Sequence, residues 1–269
     1  MSSSFILSLD TELHWGYNFY PNSREFKLLK KEESRTISAI NDVLHLLDDY
    51  DIPATWAIVG KIFLDHPELI DKIISSPIKH DIGYHSFSHI KFSSCDHEIA
   101  EREIIMGLEI ANNYNISFKS FVYPENDINH LDILKKYGFL IYRGPNFAGR
   151  SLNKPLHVRS LNFAISKFFS PPVKPLWRDG IWEIPSSMIF NDPFLKSTLP
   201  LRAKTGIANC INRNEIFHIF MHPEDVLLKP KLIDQLEEVL KFIDEKRMEN
   251  KIEVITMKDL AISLMENRD

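Results

Sequence analysis

The sequence of 269 residues is poor in cysteine and glycine and has no excess of positive charge, and each of these features argues against a class of protein. Cys95 and Cys210 are its only cysteines, so the chain cannot build a disulfide framework or a cysteine zinc ribbon. The 9 glycines form no phosphate-binding loop after the first predicted strand, which argues against a dinucleotide-binding sheet. A formal net charge of −5 provides no basic face, so we expect no nucleic-acid partner.

Long apolar runs are also missing. No stretch reaches the roughly 18 apolar residues that a membrane span needs. The amino terminus has three serines before the short apolar run of residues 5–9, and it lacks the basic region of a secretory signal. We therefore expect no membrane span and a cytoplasmic location. These patterns leave the oligomeric state open.

What the sequence does contain is an alternation of short apolar runs with amphipathic stretches. Residues 5–9, 54–59 and 216–221 read as strands, Ser34 and Asp96 are predicted to cap helices, and Thr256 with Asp259 predicts a capping box. Strands that alternate with helices imply an α/β protein with a parallel sheet. A closed or nearly closed barrel is favoured over an open sheet, in a single domain of residues 1–269 with an irregular, proline-rich excursion at about residues 144–180.

Conspicuous polar residues follow three of the predicted strands. Asp10 and Glu12 follow the first strand, His85 and His89 follow the third, and His222 follows a late one. In a parallel α/β barrel, functional side chains collect at the carboxyl ends of strands. Alternate residues of an extended segment share a face, so Asp10 and Glu12 point the same way. One carboxylate and two imidazoles form a common zinc-binding set.

Each of these patterns also has a structural explanation. A His-x-x-x-His pair is weak evidence on its own, and His218 with His222 forms a second such pair. For His218, a hydrogen-bonded position in the core is the preferred interpretation. Asp10 and Glu12 taken alone are equally well explained as a helix cap and a solvated charge. The joint occurrence of acids and imidazoles at three strand ends favours a metal site.

In this order the motifs resemble those of the polysaccharide deacetylase family, the NodB-homology carbohydrate esterases. Residues 8–12 resemble the family's first motif, an acidic pair after the first strand. Residues 85–89, His-Ser-Phe-Ser-His, match its His-Ser/Thr-x-x-His motif in full, and residues 219–222 resemble its late Leu-x-x-His motif. The resemblance implies a deformed (β/α) barrel of about seven parallel strands and a divalent metal, usually zinc.

The sequence departs from the family at two places. Thr11 separates two acids that are usually adjacent, a spacing found in a subset of relatives. The Arg-x-Pro-Tyr motif corresponds to residues 121–126, which keep the proline and a neighbouring tyrosine but contain no arginine. In the family this arginine orients the catalytic aspartate. Arg143 and Arg178 are the candidates to supply its charge from elsewhere.

The resemblance implies a metal-dependent hydrolase that removes an N-acetyl group from an amino sugar in a glycan or glycan precursor. Glu12, His85 and His89 are expected to bind the metal, Asp10 to act as general base and His222 to protonate the leaving amine. Which of Asp10 and Glu12 binds the metal and which acts as the base is left open.

Further substrate contacts are expected from aromatic residues and from the backbone. A backbone N–H near Tyr123 is expected to stabilise the oxyanion. Trp177 and Trp182 are candidates to stack on sugar rings, although core packing explains them at least equally well.

Three alternatives are considered: another hydrolysis, a protein that only binds glycans, and an iron oxygenase. Relatives of the fold open cyclic amides or ureides, some of them without a metal. A barrel that only binds glycans would fit the missing arginine. Two histidines and a carboxylate also form the iron site of oxygenases, but those proteins use all-β scaffolds.

Overall fold

The computed structural model of the protein describes residues 2–145, 169–191 and 198–267. Within these ranges, strands and helices alternate along the chain, and the strands form one 10-stranded sheet. The strands are β1 (Ser4–Thr11), β2 (Thr55–Ile58), β3 (Asp81–Tyr84), β4 (Ser120–Val122), β5 (Ile141–Gly144), β6 (Leu176–Arg178), β7 (Ile181–Pro185), β8 (Met188–Ile189), β9 (Ile216–Met221) and β10 (Glu253–Val254).

The sheet is mostly parallel and curled. Its order is β6-β7-β5-β4-β3-β2-β1-β9-β8, and β10 pairs with β1 beside this path. Every pairing is parallel except that of β6 with β7. The predicted parallel sheet is therefore confirmed, as a curled half-barrel whose end strands do not pair with each other within the described ranges.

The helices are α1 (Arg24–Lys31), α2 (Glu33–Asp49), α3 (Gly60–Asp65), α4 (Pro67–Ile74), α5 (His97–Asn113), α6 (Leu131–Lys136), α7 (Leu199–Arg213), α8 (Asp225–Leu228), α9 (Lys231–Met248) and α10 (Met257–Glu266). The Asp96 cap of α5 and the Thr256–Asp259 capping box of α10 are confirmed. The Ser34 cap is wrong, because α2 begins at Glu33 directly after α1, a helix that the sequence patterns did not predict. None of the described helices has the length and apolar character required to cross a membrane.

The two faces of β1 divide the core. Phe5, Leu7 and Leu9 pack between the sheet and its surrounding helices, whereas Ile6 belongs to a second apolar cluster that includes residues of α10. Because side chains alternate along a strand, Ser8 and Asp10 share the face of Ile6. The hydrogen bond from the Met257 N–H to the Thr55 hydroxyl places the start of α10 at the amino end of β2. The inner face of the sheet is therefore apolar near α10 and polar toward the carboxyl ends of the strands.

The predicted excursion at residues 144–180 is described only in part, because residues 146–168 lie outside the described ranges. Residues 169–175 form neither a helix nor a strand, apart from a single bridge between Val173 and Ile216. Its last residues form β6, which pairs with β7 as a hairpin at one end of the sheet.

Candidate active site

The carboxyl ends of β1, β3 and β9 bring the predicted acids and imidazoles together. Asp10, Glu12, His85 and His89 are all buried, with 2%, 7%, 1% and 2% of their surfaces exposed. His222 is half-buried directly after β9. Two overlapping groups have ligand atoms within 4.8 Å of one another: Glu12 with His85 and His89, and Asp10 with Glu12 and His222. The convergence expected from the strand ends is therefore present in the described residues.

Glu12 lies at the centre of the ligand side of the site, which we define as Glu12, His85 and His89. Its Oε1 is 2.7 Å from His85 Nε2 and 3.2 Å from His89 Nε2. Burial opposes ionisation of Glu12, but the neighbouring histidines, led by His89 and His222, hold its pKa well below the usual range. Glu12 is therefore a buried carboxylate that requires positive charge beside it.

The tautomer of His85 fits a metal ligand. Its Nδ1 lies 2.7 Å from the carbonyl oxygen of Val122. A carbonyl oxygen can only accept, so Nδ1 carries the hydrogen and the lone pair of neutral His85 is on Nε2, which faces the Glu12 carboxylate. Two electron-rich atoms at this distance need a cation or a shared proton between them. A divalent metal fits this donor set.

A glutamate from α5 holds the loop that carries the two histidines. The Glu103 carboxylate accepts hydrogen bonds from the Phe87 and Ser88 N–H groups, both at 2.8 Å, and from the Ser88 hydroxyl at 2.6 Å. At both ends of this segment the backbone is left-handed, at Ser86 (φ 57°) and His89 (φ 55°). Glu103 thus fixes a strained loop from outside the site.

Close packing restricts Glu12 on its other flank. A Cβ atom placed on Gly16 would lie only 1.8 Å from Glu12 Oε2. Gly16 belongs to the 3-10 turn Trp15–Tyr17 that follows β1, and this turn covers the carboxylate. Only glycine permits such a close approach of backbone to side chain.

The base side of the site, which we define as Asp10, Arg143, Ser8 and His218, is a buried network on the inner face of the sheet. Arg143 from β5 binds Asp10 through two parallel hydrogen bonds of 2.5 and 2.6 Å. The guanidinium group is buried and lies 4.0 Å above the Phe220 ring. Arg143 is therefore the candidate arginine that reaches the predicted base.

Ser8 and His218 support Arg143 from behind. Arg143 Nη1 donates to the Ser8 hydroxyl oxygen at 3.3 Å, and Ser8 lies 2.9 Å from His218 Nε2. His218 Nδ1 lies 3.1 Å from the Pro185 carbonyl oxygen, so Nδ1 carries the hydrogen and Nε2 accepts from Ser8. Burial and the charge of Arg143 lower the pKa of His218 to about 3. The interpretation of His218 as a hydrogen-bonded core histidine is confirmed.

Arg178, the other candidate arginine, lies elsewhere. It is on the β6–β7 hairpin, where its Nε donates to Glu183 at 3.0 Å and its side chain is 53% exposed. Trp182 is on the same hairpin, with its ring 5.0 Å from that of Trp177. Neither tryptophan lines the cavity at the site.

His222 lies between the acids and has its own carboxylate partner. Its Nδ1 is 3.3 Å from Asp225 Oδ2, and its Nε2 is 3.7 Å from Glu12 and 4.0 Å from Asp10. Burial disfavours the imidazolium, but the carboxylates, Glu12 first, raise the pKa of His222 well above its usual value. The surrounding carboxylates therefore favour the imidazolium form of His222.

These groups border a cavity of about 240 Å³. Asp10, Glu12, His89 and His222 line it, together with Arg143, Tyr17, Tyr20, Glu125, Asn126 and Phe220. Tyr123 is buried against Phe121 and Tyr142, directly before the 3-10 turn Pro124–Asn126 at the cavity wall. Sequence patterns did not single out Asp225, Tyr17, Tyr20 or Glu125, since each is an ordinary residue in a turn, loop or helix start.

Comparison with known proteins supports the resemblance drawn from the motifs. Residues 37–141 match the family model described as polysaccharide deacetylase. A chitooligosaccharide deacetylase from Rhizobium leguminosarum bv. trifolii is 32% identical over 62 residues, which are 23% of this chain and 28% of that protein. The chain thus aligns with little more than a quarter of this relative's length. The resemblance to the polysaccharide deacetylase family is confirmed over residues 37–141.

Solved structures share the fold over nearly the whole chain. A structure described as a polysaccharide deacetylase from Mycobacterium smegmatis has a TM-score of 0.75 at 15% identity and covers 98% of this chain and 91% of its own. The Puue allantoinase has a TM-score of 0.66 at 13% identity, with coverages of 96% and 88%. At these identities the comparison shows the fold alone, and it agrees with the predicted deformed (β/α) barrel.

Proposed function

We propose that this chain, which carries a polysaccharide deacetylase segment, is a metal-dependent hydrolase that removes an N-acetyl group from an amino sugar in a glycan or glycan precursor. The observation that carries the proposal is the meeting of Glu12, His85 and His89 around one point, with Asp10 and His222 beside it. The proposed partner is a carbohydrate, and the proposed location is the cytoplasm.

Glu12, His85 and His89 would hold the metal, for which we propose zinc because two imidazoles and a carboxylate form one of its usual ligand sets. A divalent metal held there supplies positive charge that polarises the amide carbonyl and acidifies water. The distances support Glu12 rather than Asp10 as the ligand, because Glu12 Oε1 lies 2.7 Å from His85 Nε2 and 3.2 Å from His89 Nε2. Asp10 is held instead by Arg143.

Asp10 takes the proton of the attacking water as the new C–O bond forms at the carbonyl carbon. Arg143 fixes the orientation of the Asp10 carboxylate through two hydrogen bonds, which supports this role despite the missing arginine of the third motif. Each carboxylate oxygen retains a second lone pair for the incoming proton.

His222 donates its proton to the nitrogen of the leaving amine as the C–N bond breaks, which yields acetate and the free amino sugar. Its raised pKa and its contact with Asp225 support a donor role. A backbone N–H near Tyr123 is proposed to stabilise the oxyanion. Trp177 and Trp182 lie outside the cavity lining, so stacking on them would require a substrate that extends beyond it.

Acetate release from a panel of N-acetylhexosamine compounds, with and without a chelator, tests this function. We expect the chelator and His85→Ala each to abolish turnover, and His85→Ala to abolish metal binding as well. His45→Ala changes an exposed histidine on α2 and is the matched control, expected to retain both. Full activity in the His85→Ala variant would refute the scheme.

Hydrolysis of a cyclic amide or ureide is the second candidate. The cavity of about 240 Å³ among the described residues accommodates a compact ring, which favours this candidate. Adding cyclic ureides to the panel separates the two functions. The alternative of a barrel that only binds glycans was suggested by the arginine missing from the third motif. It is no longer favoured, because Arg143 places a positive charge beside Asp10.

A further inference from the structure

Glu125 has an unusual backbone for its residue type. It lies in the 3-10 turn Pro124–Asn126 after β4, with φ 55° and ψ 16°. The next residue, Asn126, is also left-handed, with φ 53°. Asparagine tolerates this region, whereas a glutamate there is strained, because its Cβ approaches the following carbonyl oxygen. Such strain persists where the surrounding structure requires it, and it clusters at functional sites.

The strained turn directs its two side chains to different places. Asn126 accepts a hydrogen bond from Arg143 Nη2 at 3.4 Å, so it contributes to the base side. Glu125 is exposed and lines the cavity. The two consecutive left-handed residues thus place Asn126 against Arg143 and Glu125 at the cavity.

Among the described residues, the Glu125 carboxylate has no hydrogen-bond or ion-pair partner. The other acids of the cavity are compensated: Asp10 by Arg143, and Glu12 by the histidines. Glu125 is therefore an uncompensated carboxylate in the cavity wall. It can only accept hydrogen bonds, and it repels a second negative charge.

We propose that Glu125 is a substrate-binding residue that accepts hydrogen bonds from hydroxyl or ammonium groups of the sugar and selects against anionic sugars. This inference rests on the proposed deacetylase function and specifies its substrate class. Tyr20 lines the same cavity, is 55% exposed, and provides an aromatic face for the same ring.

The test compares kcat and KM for acetate release from three substrates: N,N′-diacetylchitobiose, its mono-deacetylated form, and N-acetylglucosamine 6-phosphate. Glu125→Ala should raise KM for the neutral disaccharide about tenfold, with kcat within about twofold of the original value. Glu125→Gln keeps an acceptor but removes the charge, so it should mainly improve the phosphate substrate relative to the neutral one, by about tenfold. A loss confined to the mono-deacetylated substrate would assign the contact to the ammonium group rather than to a hydroxyl.

Two controls keep the proposal falsifiable. Glu109→Gln removes a charge from an exposed position of α5 and should change neither KM nor selectivity. Glu125→Gly should match Glu125→Ala in KM but melt at a higher temperature, because glycine adopts the left-handed backbone without strain.

The outcomes separate this inference from the proposed function. If the unmodified protein releases acetate but Glu125→Ala and Glu125→Gln leave KM and selectivity unchanged, the role of Glu125 is refuted and the function stands. If the unmodified protein releases no acetate from any sugar, the function fails, and this inference is refuted with it.

Discussion

The ligand side and the base side of the site differ in how the chain builds them. Glu12, His85 and His89 come from two short segments after β1 and β3, and their positions depend on loop backbone held by Glu103. The base side joins side chains from three strands, and Asp10 and Arg143 are 133 residues apart in sequence. The ligand side is thus a local motif with an external support. The base side is a buried network in which each polar group depends on the next.

Removing Arg143 should have the largest effect of any change that tests this contrast. Arg143→Ala leaves the Asp10 carboxylate buried and unpaired, which should lower the free energy of unfolding by about 3–5 kcal/mol. Acetate release should fall below detection, because Asp10 loses its orientation. Urea denaturation and the activity assay measure the two effects.

Arg102→Ala is the control, since it breaks an ion pair with Glu98 in which both side chains are exposed, at 69% and 86%. Such a pair contributes about 1 kcal/mol or less to stability. If both variants lost the same amount of stability and activity, the base side would not depend on its buried network.

Removing Glu103 should weaken the ligand side without touching the ligands. Glu103→Ala leaves the N–H groups of Phe87 and Ser88 without their acceptor and frees the histidine loop. We expect metal affinity to fall about 10–100-fold, as for other groups that orient ligands indirectly. Competition with a chelating dye measures the affinity.

Glu103→Gln retains an acceptor oxygen and should recover part of the affinity. Glu109→Ala, at an exposed position of the same helix, should leave affinity unchanged. Unchanged metal affinity in Glu103→Ala would show that the loop holds its shape alone.

The smallest expected effect comes from changing His218, and it distinguishes the base side from the ligand side because it should alter kcat but not metal affinity. The amide of His218→Gln lies near the position of the original Nε2 and can still accept the hydrogen bond from the Ser8 hydroxyl. The amide of His218→Asn reaches only the position of the original Nδ1, so the Ser8 hydroxyl loses its acceptor. His218→Asn should therefore lower kcat about tenfold with KM and metal affinity unchanged, and His218→Gln should retain most of kcat.

Ser8→Ala should resemble His218→Asn, and the double variant should be no worse than either single one, because both act through Arg143. Additive losses would show that Ser8 and His218 support the site by separate routes.

The same contrast explains what could be predicted from sequence. His85, His89 and Glu12 were identified because their spacing and their place after apolar runs are local patterns. The sequence narrows the partner of Asp10 to Arg143 or Arg178 but does not choose between them, because the pairing depends on which strands face each other across a curled sheet. Nothing near Arg143 in the sequence distinguishes it from Arg178.

Local patterns also failed where a neighbouring element intervened. Ser34 has the composition of a helix cap, but α1 ends at Lys31 and α2 begins at Glu33, so Ser34 falls inside the first turn of α2. The left-handed backbone of Glu125 was equally hidden, because glutamate rarely adopts it.

The alternation of side chains along β1 makes this strand intolerant of length changes. Phe5, Leu7 and Leu9 contact the helical layer, while Ser8 and Asp10 share the face of Ile6. Inserting one residue after Ile6 would turn Leu7 toward the polar interior and push Ser8 and Asp10 into the packed apolar layer. A two-residue insertion would return each side chain to its original face of the sheet, but it would shift Asp10 along the strand and out of register with Arg143. The spacing between these side chains is therefore under tighter constraint than the identity of any single apolar residue in the strand.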